Sequence, residues 1–270
     1  MTLYQKIAEK LQFISPEFYK KRYFKKLEEL SADNFSEKNM EPELLWIKDY
    51  IPKAAVFFDI GANVGTYLFR LEKRLSPHQI YAFEPNPKLY FRLKRIFPEM
   101  HIYRLALSDK NETADFKIPV INGETYNSRG TLHTQFFENG EENHFTEKVK
   151  VMKLDDWAGL ENLKRLDFIK IDVEGNEMET LRGAEKTIKK FKPILMVEME
   201  QRHHEKPLQE MVSEIENWNY TAHFLNRENF RLQKIEDDFY KIQKENELIN
   251  KNQYINNIIF VPNYQKKHDK

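Results

Sequence analysis

The sequence predicts an α/β protein built on a doubly wound, mostly parallel sheet. From residue 54 onward, apolar runs of strand length alternate with segments of helical spacing, as in successive βαβ units. The runs at residues 54–58 and 194–197 are continuously apolar, which is typical of buried strands. Right-handed crossover connections then place helices on both faces of the sheet.

Length and composition limit the classes of protein. The chain has 270 residues, of which 40% are hydrophobic, so it can bury a core in one large domain or two small ones. Basic and acidic residues number 43 each, and the zero formal charge argues against a dedicated nucleic-acid binder. The lack of cysteine excludes disulfides, thiolate metal sites and a cysteine nucleophile.

Residues 1–50 are predicted to form a helical N-terminal extension. Apolar residues recur there every three or four positions from Leu3 to Phe18, and Pro16 should break or restart the helix. A basic cluster around Tyr23 could serve a membrane surface or a partner. Interspersed glutamates favour instead a solvated helix face on an extension that packs against the main domain.

Residues 51–262 are predicted to form the main domain, followed by a polar tail at residues 263–270. The predicted strands cover residues 54–58, 79–83, 101–107, 166–171, 194–197, 221–225 and 257–261. The predicted helices cover residues 64–75, 87–97, 177–191 and 208–218. An antiparallel pair at residues 114–120 and 148–154 encloses a polar insert at residues 121–147.

The strongest local signal is the segment 59–65, which joins a buried strand to a helix. In a doubly wound fold this turn lies at the carboxyl edge of the sheet, where ligands bind. Gly61 permits a tight turn and close approach to a ligand, and Gly65 lets the helix pack tightly on the sheet. Asn63 replaces the second glycine that a pyrophosphate needs, and Asp59 suits a cationic ligand better than a phosphate.

The next two strands also end on polar residues. Glu84 ends the second strand at the distance from the glycine turn where an acid accepts hydrogen bonds from ribose hydroxyls. Pro85 helps to fix the turn that follows. Ser108 or Asp109, after the third strand, could meet an adenine amino group, and a plain turn signal is an equal alternative.

Acidic residues follow the fourth strand. Asp172 and Glu174 come at the switch-point edge, where the reactive end of a cofactor should lie. Glu177 follows in the same segment, but a structural role explains this residue better than a functional one. An acid in the first turn of a helix meets a favourable dipole. His203 and His204 follow the fifth strand, although such a pair is more often solvated surface than catalytic.

Together these segments resemble the FkbM family of S-adenosylmethionine-dependent methyltransferases. The matching stretches are residues 57–65, 81–87, 104–109, 154–157, 166–183 and 192–198. The resemblance implies a Rossmann-like, seven-stranded class I methyltransferase sheet, mostly parallel, with the last strand antiparallel. It also implies O-methylation of a hydroxyl on a sugar, a glycan or another small molecule such as a polyketide.

The resemblance and the chemistry of methyl transfer define the expected site. The residues expected to bind S-adenosylmethionine are Asp59, Gly61, Asn63, Gly65, Glu84, Pro85, Ser108 and Asp109. A hydroxyl is a poor nucleophile at neutral pH, so a base or a metal should help to remove its proton. Asp172, Glu174 and His203 are the catalytic candidates. Clustered carboxylates with histidine could also bind Mg²⁺, although no spacing here is diagnostic.

The polar insert and the alternatives complete the expectations. The insert at residues 121–147 contains aromatic residues, and it is either a lid over the acceptor or an ordinary disordered loop. An NAD-dependent oxidoreductase and a non-catalytic binding module are the alternative functions. With no transmembrane run and no signal peptide, we expect a cytoplasmic enzyme with a small-molecule or glycan acceptor and no nucleic-acid partner.

Overall fold

The computed structural model describes residues 3–246 and 254–263. The helices are α1 (Leu3–Ile14), α2 (Pro16–Tyr23), α3 (Lys25–Glu28), α4 (Glu43–Tyr50), α5 (Thr66–Leu71), α6 (Pro87–Ile96), α7 (Glu177–Arg182), α8 (Glu185–Phe191), α9 (Leu208–Glu216) and α10 (Asp237–Asn246). The strands are β1 (Phe57–Ile60), β2 (Ile80–Phe83), β3 (His101–Tyr103), β4 (Ala106–Leu107), β5 (Glu112–Ile121), β6 (Glu124–Thr125), β7 (Glu141–Met152), β8 (Phe168–Ile171), β9 (Ile194–Glu198), β10 (Tyr220–Leu225), β11 (Leu232–Lys234) and β12 (Asn257–Pro262).

The main sheet has eight strands in the order β11-β10-β12-β9-β8-β1-β2-β3. The pairs from β3 through β9 are parallel, whereas β12 is antiparallel to both β9 and β10. This arrangement confirms the predicted mostly parallel sheet with an antiparallel last strand. The short edge strand β11 is an addition to the seven predicted strands.

The order of the main sheet reverses at β1, which lies between β2 and β8. Ladder hydrogen bonds continue past the strand ends there, since Asp172 donates its N–H to the carbonyl of Ile60 at 3.0 Å and Gly61 donates its N–H to Phe83 at 3.0 Å. The carboxyl ends of the three central strands are therefore held in register. In a doubly wound sheet this is the position of the ligand crevice.

The N-terminal helices belong to the core on one face of the main sheet. Tyr19, Phe24 and Leu27 are buried, and the ring of Phe24 stacks on that of Phe69 with centroids 4.5 Å apart. α2 begins at Pro16, as predicted, because a proline at the first helical position gives up no hydrogen bond. The extension therefore packs against the main domain.

The region from residue 106 to residue 152 builds a second sheet in the order β4-β7-β5-β6. The predicted third strand at residues 101–107 is therefore divided: β3 joins the main sheet, while β4 pairs in parallel with β7 of the second sheet. The predicted loop at residues 121–147 is also partly wrong. β7 begins at Glu141 and continues the hairpin with β5, so that only residues 126–140 form the irregular part of the insert.

Two smaller differences concern single segments. The predicted helix at residues 177–191 is divided into α7 and α8 at Gly183, where a Cβ atom would lie 1.9 Å from the carbonyl oxygen of Ser108. The segment predicted to be polar before β12 contains β11 and α10, which are too short or too polar for a clear periodicity. Of the predicted tail at residues 263–270, all but Asn263 lies outside the described residues.

None of the helices in the described ranges is long and apolar enough to cross a membrane.

Candidate active site

A cavity of about 530 Å³, open to solvent, lies at the carboxyl ends of β1, β2 and β8. The strand ends contribute Gly61, Glu84 and Asp172 to its wall, and the insert contributes Ser128 and Leu132. Segments far apart in the sequence therefore share one cavity.

Gly61 lies where the glycine turn meets the end of β8. Its φ is +80°, and a Cβ atom built on it would lie 1.7 Å from the carbonyl oxygen of Asp172. Only glycine fits there, because both the left-handed conformation and the close approach exclude a side chain. Gly61 lines the cavity, as its predicted role requires.

Gly65 and Asp59 do not line the cavity. A Cβ atom on Gly65 would lie 2.7 Å from Leu93 and 2.8 Å from Phe97, so this glycine permits close packing against the helix after β2, rather than against the sheet as expected. Asp59 is buried, with Oδ1 4.0 Å from the ammonium of Lys170. The predicted direct contacts of these two residues with a cofactor therefore have no support in the geometry.

Glu84 lines the cavity and is 4% exposed. One carboxylate oxygen accepts the N–H of Asn63 at 2.7 Å, and the other accepts the N–H of Asn86 at 2.8 Å. Burial raises the pKa of Glu84 to about 7, although these two bonds act to lower it. Each oxygen retains a lone pair for a ligand donor.

The remaining predicted cofactor residues divide into two groups. Asn63 and Pro85 line the cavity, and Asn63 adopts a left-handed φ of +51° in place of a glycine. Ser108 and Asp109 do not line it. The hydroxyl of Ser108 donates to Asn176 at 3.3 Å, and the neighbouring apolar wall is formed by residues that precede it, such as Leu105. The predicted adenine contact of Ser108 or Asp109 has no support here.

Lys170 was missed by the sequence analysis and lies between two carboxylates. Its ammonium is 2.9 Å from Asp172 Oδ2 and 4.0 Å from Asp59 Oδ1, and its side chain is 5% exposed. Burial alone would lower its pKa, but the two aspartates raise it, so the lysine is charged. A lysine inside the apolar run of β8 was the available signal, because a buried ammonium needs an acidic partner.

Asp59 and Asp172 together leave a negative charge at this edge. Burial raises the pKa of Asp59 to about 6, with Lys170 opposing that rise. Two carboxylates against one ammonium leave a net negative charge near pH 7. Asp172 lines the cavity, so that this charge faces the ligand space.

Glu174, His203 and Glu138 form a cluster, named here the histidine–glutamate cluster, beside the cavity. His203 Nε2 is 3.7 Å from Glu174 Oε2 and 3.8 Å from Glu138 Oε1. Glu174 also lines the cavity and adopts a left-handed φ of +52°. The structure thus brings together two predicted catalytic residues and one that the sequence analysis missed.

The electrostatics of this cluster are set by burial and by two arginines. Burial raises the pKa of Glu174 well above its usual range, and the neighbouring Asp172 adds to the rise. Burial would also raise the pKa of Glu138, but His203, Arg202 and Arg129 lower it to about 2. Glu138 is therefore ionised at neutral pH, whereas Glu174 holds its proton more tightly than an ordinary glutamate.

The two neighbouring histidines occupy different environments. His203 is 7% exposed, and its ring packs edge-on to Phe136 of the insert at 4.8 Å. His204 Nε2 lies 3.0 Å from Glu177 Oε2, away from the cluster. The expectation that this pair is solvated surface is wrong, because the insert and the start of α7 cover both rings.

The insert is fixed to the site by hydrogen bonds. Thr131 donates its hydroxyl to the carbonyl of Glu174 at 2.6 Å, and Glu141 accepts the N–H of Glu138 at 3.0 Å. The Asn63 side chain donates to the carbonyl of Ser128 at 3.4 Å. The insert thus forms a wall of the cavity. No pattern in residues 121–147 singles out Glu138, since its role depends on long-range packing.

The fold and the cavity together define the class of protein. It is a Rossmann-like domain of the methyltransferase type, with a glycine turn after β1 and an acid after β2. The profile of the Methyltransferase FkbM domain family matches residues 59–224, more than half of the chain. The chain therefore belongs to the FkbM family of methyltransferases. The expected enzyme class, a methyltransferase, is confirmed, and the family is not one of NAD-dependent oxidoreductases.

The individual relatives share about a quarter of their aligned residues with this chain. The 2-O-methyltransferase NoeI of Sinorhizobium fredii is 25% identical over 186 residues, which cover 63% of this chain and 74% of NoeI. Methyltransferase 1 of Beauveria bassiana is 26% identical over 151 residues, which cover 50% of this chain and 60% of that protein. The crystal structure of a methyltransferase FkbM from Methylobacillus flagellatus matches 78% of this chain and 44% of its own, with a TM-score of 0.48 and 14% identity.

Proposed function

We propose that the protein transfers a methyl group from S-adenosylmethionine to a hydroxyl oxygen of a sugar, a glycan or a similar small molecule. The observation that carries the proposal is the buried Glu84 carboxylate that lines the cavity. Its two oxygens match the two hydroxyls of a ribose, and the negative charge strengthens both hydrogen bonds.

Other features of the cavity fit the same cofactor. Leu105, Leu107 and Phe116 provide an apolar wall suited to an adenine ring. Asn63 Oδ1 is buried and has no hydrogen-bond partner within the described residues, so it offers an acceptor to a ligand donor. The net negative charge around Asp172 favours a cationic sulfonium over a phosphate.

The acidic residues that follow β8 would act on the acceptor. When bound, S-adenosylmethionine supplies an electrophilic methyl group. Asp172 and Glu174 line the cavity, where Asp172 would accept the proton of a hydroxyl that Glu174 helps to orient. His203 lies behind Glu174 and can position its carboxylate. The name of the relative NoeI, a 2-O-methyltransferase, supports oxygen as the methylated atom.

The test is methyl transfer by the full chain. Tritiated S-adenosylmethionine is incubated with the protein and a panel of monosaccharides, oligosaccharides and small hydroxyl compounds. We expect label in at least one acceptor, lost in Asp172→Asn. In parallel, calorimetry measures the binding of S-adenosylhomocysteine.

The two measurements separate the possible failures. Binding of S-adenosylhomocysteine without transfer to any hydroxyl acceptor would contradict O-methylation and favour a non-catalytic module. If S-adenosylhomocysteine does not bind to the folded protein, the proposed cofactor is wrong.

A further inference from the structure

The histidine–glutamate cluster has the composition and spacing of a cation site. One atom from each of Glu138, Glu174 and His203 lies within 4.8 Å of the other two. The carboxylates come from the insert and from the end of β8, and the imidazole comes from the turn after β9. Two carboxylate oxygens and an imidazole nitrogen are a ligand set for a divalent metal ion.

The buried imidazole of His203 points to a bound ligand independently of the spacing of the three groups. His203 is 7% exposed, and its Nε2 atom has no hydrogen-bond partner in the part of the chain that the structure describes. The distances of 3.7 Å and 3.8 Å to the two carboxylates are too long for hydrogen bonds. A buried polar atom without a partner is costly, and an ion between the three groups would remove that cost.

A structural ion-pair network is the alternative explanation. Arg202 lies 3.0 Å from Glu138 Oε2 and 3.9 Å from Glu174 Oε2, and Arg129 lies 3.1 Å from Glu138 Oε2. The shortest contact of Arg202, however, is with Glu200. Because Arg202 is a positive charge beside the cluster, it should oppose a metal ion, whereas it should strengthen a purely structural network.

We propose that Glu138, Glu174 and His203 bind one divalent cation of the Mn²⁺ class. The cation site adjoins the ligand cavity, because Glu174 lines both. Three protein ligands leave coordination positions open for water or for an acceptor oxygen. The binding of the ion does not depend on the proposed function, although its use in methyl transfer does.

The test is a titration of the full, chelator-treated chain with Mn²⁺, followed by the electron paramagnetic resonance signal of the free ion. We expect one bound Mn²⁺ per chain, displaced by Zn²⁺, which binds nitrogen and oxygen ligands more tightly. Glu138→Gln, Glu174→Gln and His203→Gln should each weaken binding by about tenfold or more. His204→Gln is the matched control, because the His204 ring faces Glu177 rather than the cluster. The Mn²⁺ affinity of this variant should equal that of the wild-type chain.

The direction in which Arg202→Gln changes Mn²⁺ affinity distinguishes a cation site from a structural ion-pair network. If the cluster binds a cation, removal of the guanidinium should tighten Mn²⁺ binding, and the three ligand variants should weaken it. If the wild-type chain binds no stoichiometric Mn²⁺, or if all three ligand variants bind it normally, the proposal is wrong. Circular dichroism and S-adenosylhomocysteine affinity show whether each variant is folded. A chain that binds S-adenosylhomocysteine but no Mn²⁺ overturns the cation site alone.

Discussion

The two sides of the cavity are built in different ways. On the glycine-turn side (Gly61, Asn63 and Glu84), backbone N–H groups from nearby segments satisfy the carboxylate. On the acidic side (Asp172, Glu174 and the groups around them), side chains from the insert, β8 and the turn after β9 lie within 4 Å of one another in successive pairs. The first side is preorganised by local chain geometry, and the second depends on distant packing. We expect the first to determine cofactor affinity and the second to determine turnover.

The largest effect should come from Asp172→Asn. This change keeps the shape of the side chain and removes its charge, while Lys170 retains Asp59 within 4.0 Å. Turnover should fall by about 10²–10⁴-fold if the carboxylate assists deprotonation. S-adenosylhomocysteine affinity should change little, which separates the two sides.

Asp115→Asn is the matched control for that variant. Asp115 forms an exposed ion pair with Lys148 at 2.9 Å and does not line the cavity, so its loss should leave turnover unchanged. Near-normal turnover in both Asp172→Asn and Glu174→Gln would show that the acidic side is structural.

Gly61→Ala should break the contact between the two sides. The added Cβ would meet the carbonyl of Asp172, and the φ of +80° is unfavourable for alanine, so we expect a loss of roughly 2–6 kcal/mol in the free energy of unfolding. Gly123→Ala has a similar φ of +70° but no atom within 4 Å, and it should cost only about 1–2 kcal/mol. Urea unfolding measures both, and equal losses would contradict the close approach.

Glu84→Gln should weaken S-adenosylhomocysteine binding by about 10²-fold. The variant loses the charge that strengthens two ribose hydrogen bonds, each contributing about 1.5–3 kcal/mol to binding. Calorimetry provides the measurement. Glu43→Gln is the control, because Glu43 is as buried as Glu84 but lies on α4 and does not line the cavity. Unchanged affinity in Glu84→Gln would remove the ribose assignment.

The smallest effect should be the pH dependence of the same binding. The pKa of Glu84 is about 7 in the free protein, and hydroxyl donors stabilise the ionised form, so binding lowers this pKa and releases protons. Affinity should therefore rise with pH up to about 7, by at most about tenfold per unit, and then level off. The dependence should vanish in Glu84→Gln. A wild-type affinity that falls with rising pH would contradict the assignment.

The glycine-turn side was largely predictable because its signals are local. Gly61, Asn63 and Glu84 lie within two successive βα turns, and parallel strands bring such turns to one edge. Gly65 and Asp59 belong to the same motif, but their side of the backbone faces the helices and Lys170 rather than the cavity. The motif marked the edge of the sheet where the cavity lies, while side-chain direction decided which residues of the motif line that cavity.

The acidic side was predictable only in part. Asp172 and Glu174 followed from their position after β8, yet nothing in the sequence distinguishes His203 from His204, or Glu138 from the other glutamates of the insert. Their contacts join residues separated by some tens of positions, and hairpin register and the path of the insert fix them.

The sequence by itself determined the α/β class, the mostly parallel sheet and the edge of the sheet at which the cavity lies, because these depend on periodicity and on turn chemistry that neighbouring residues define. The tertiary structure alone decided that residues 106–152 form a second sheet, that Lys170 joins two aspartates and that Glu138 meets Glu174 and His203. The reason is that ion pairs and buried polar clusters need groups that the folding of the whole chain brings within a few ångströms of one another. The amino-acid sequence does not show which groups will come that close.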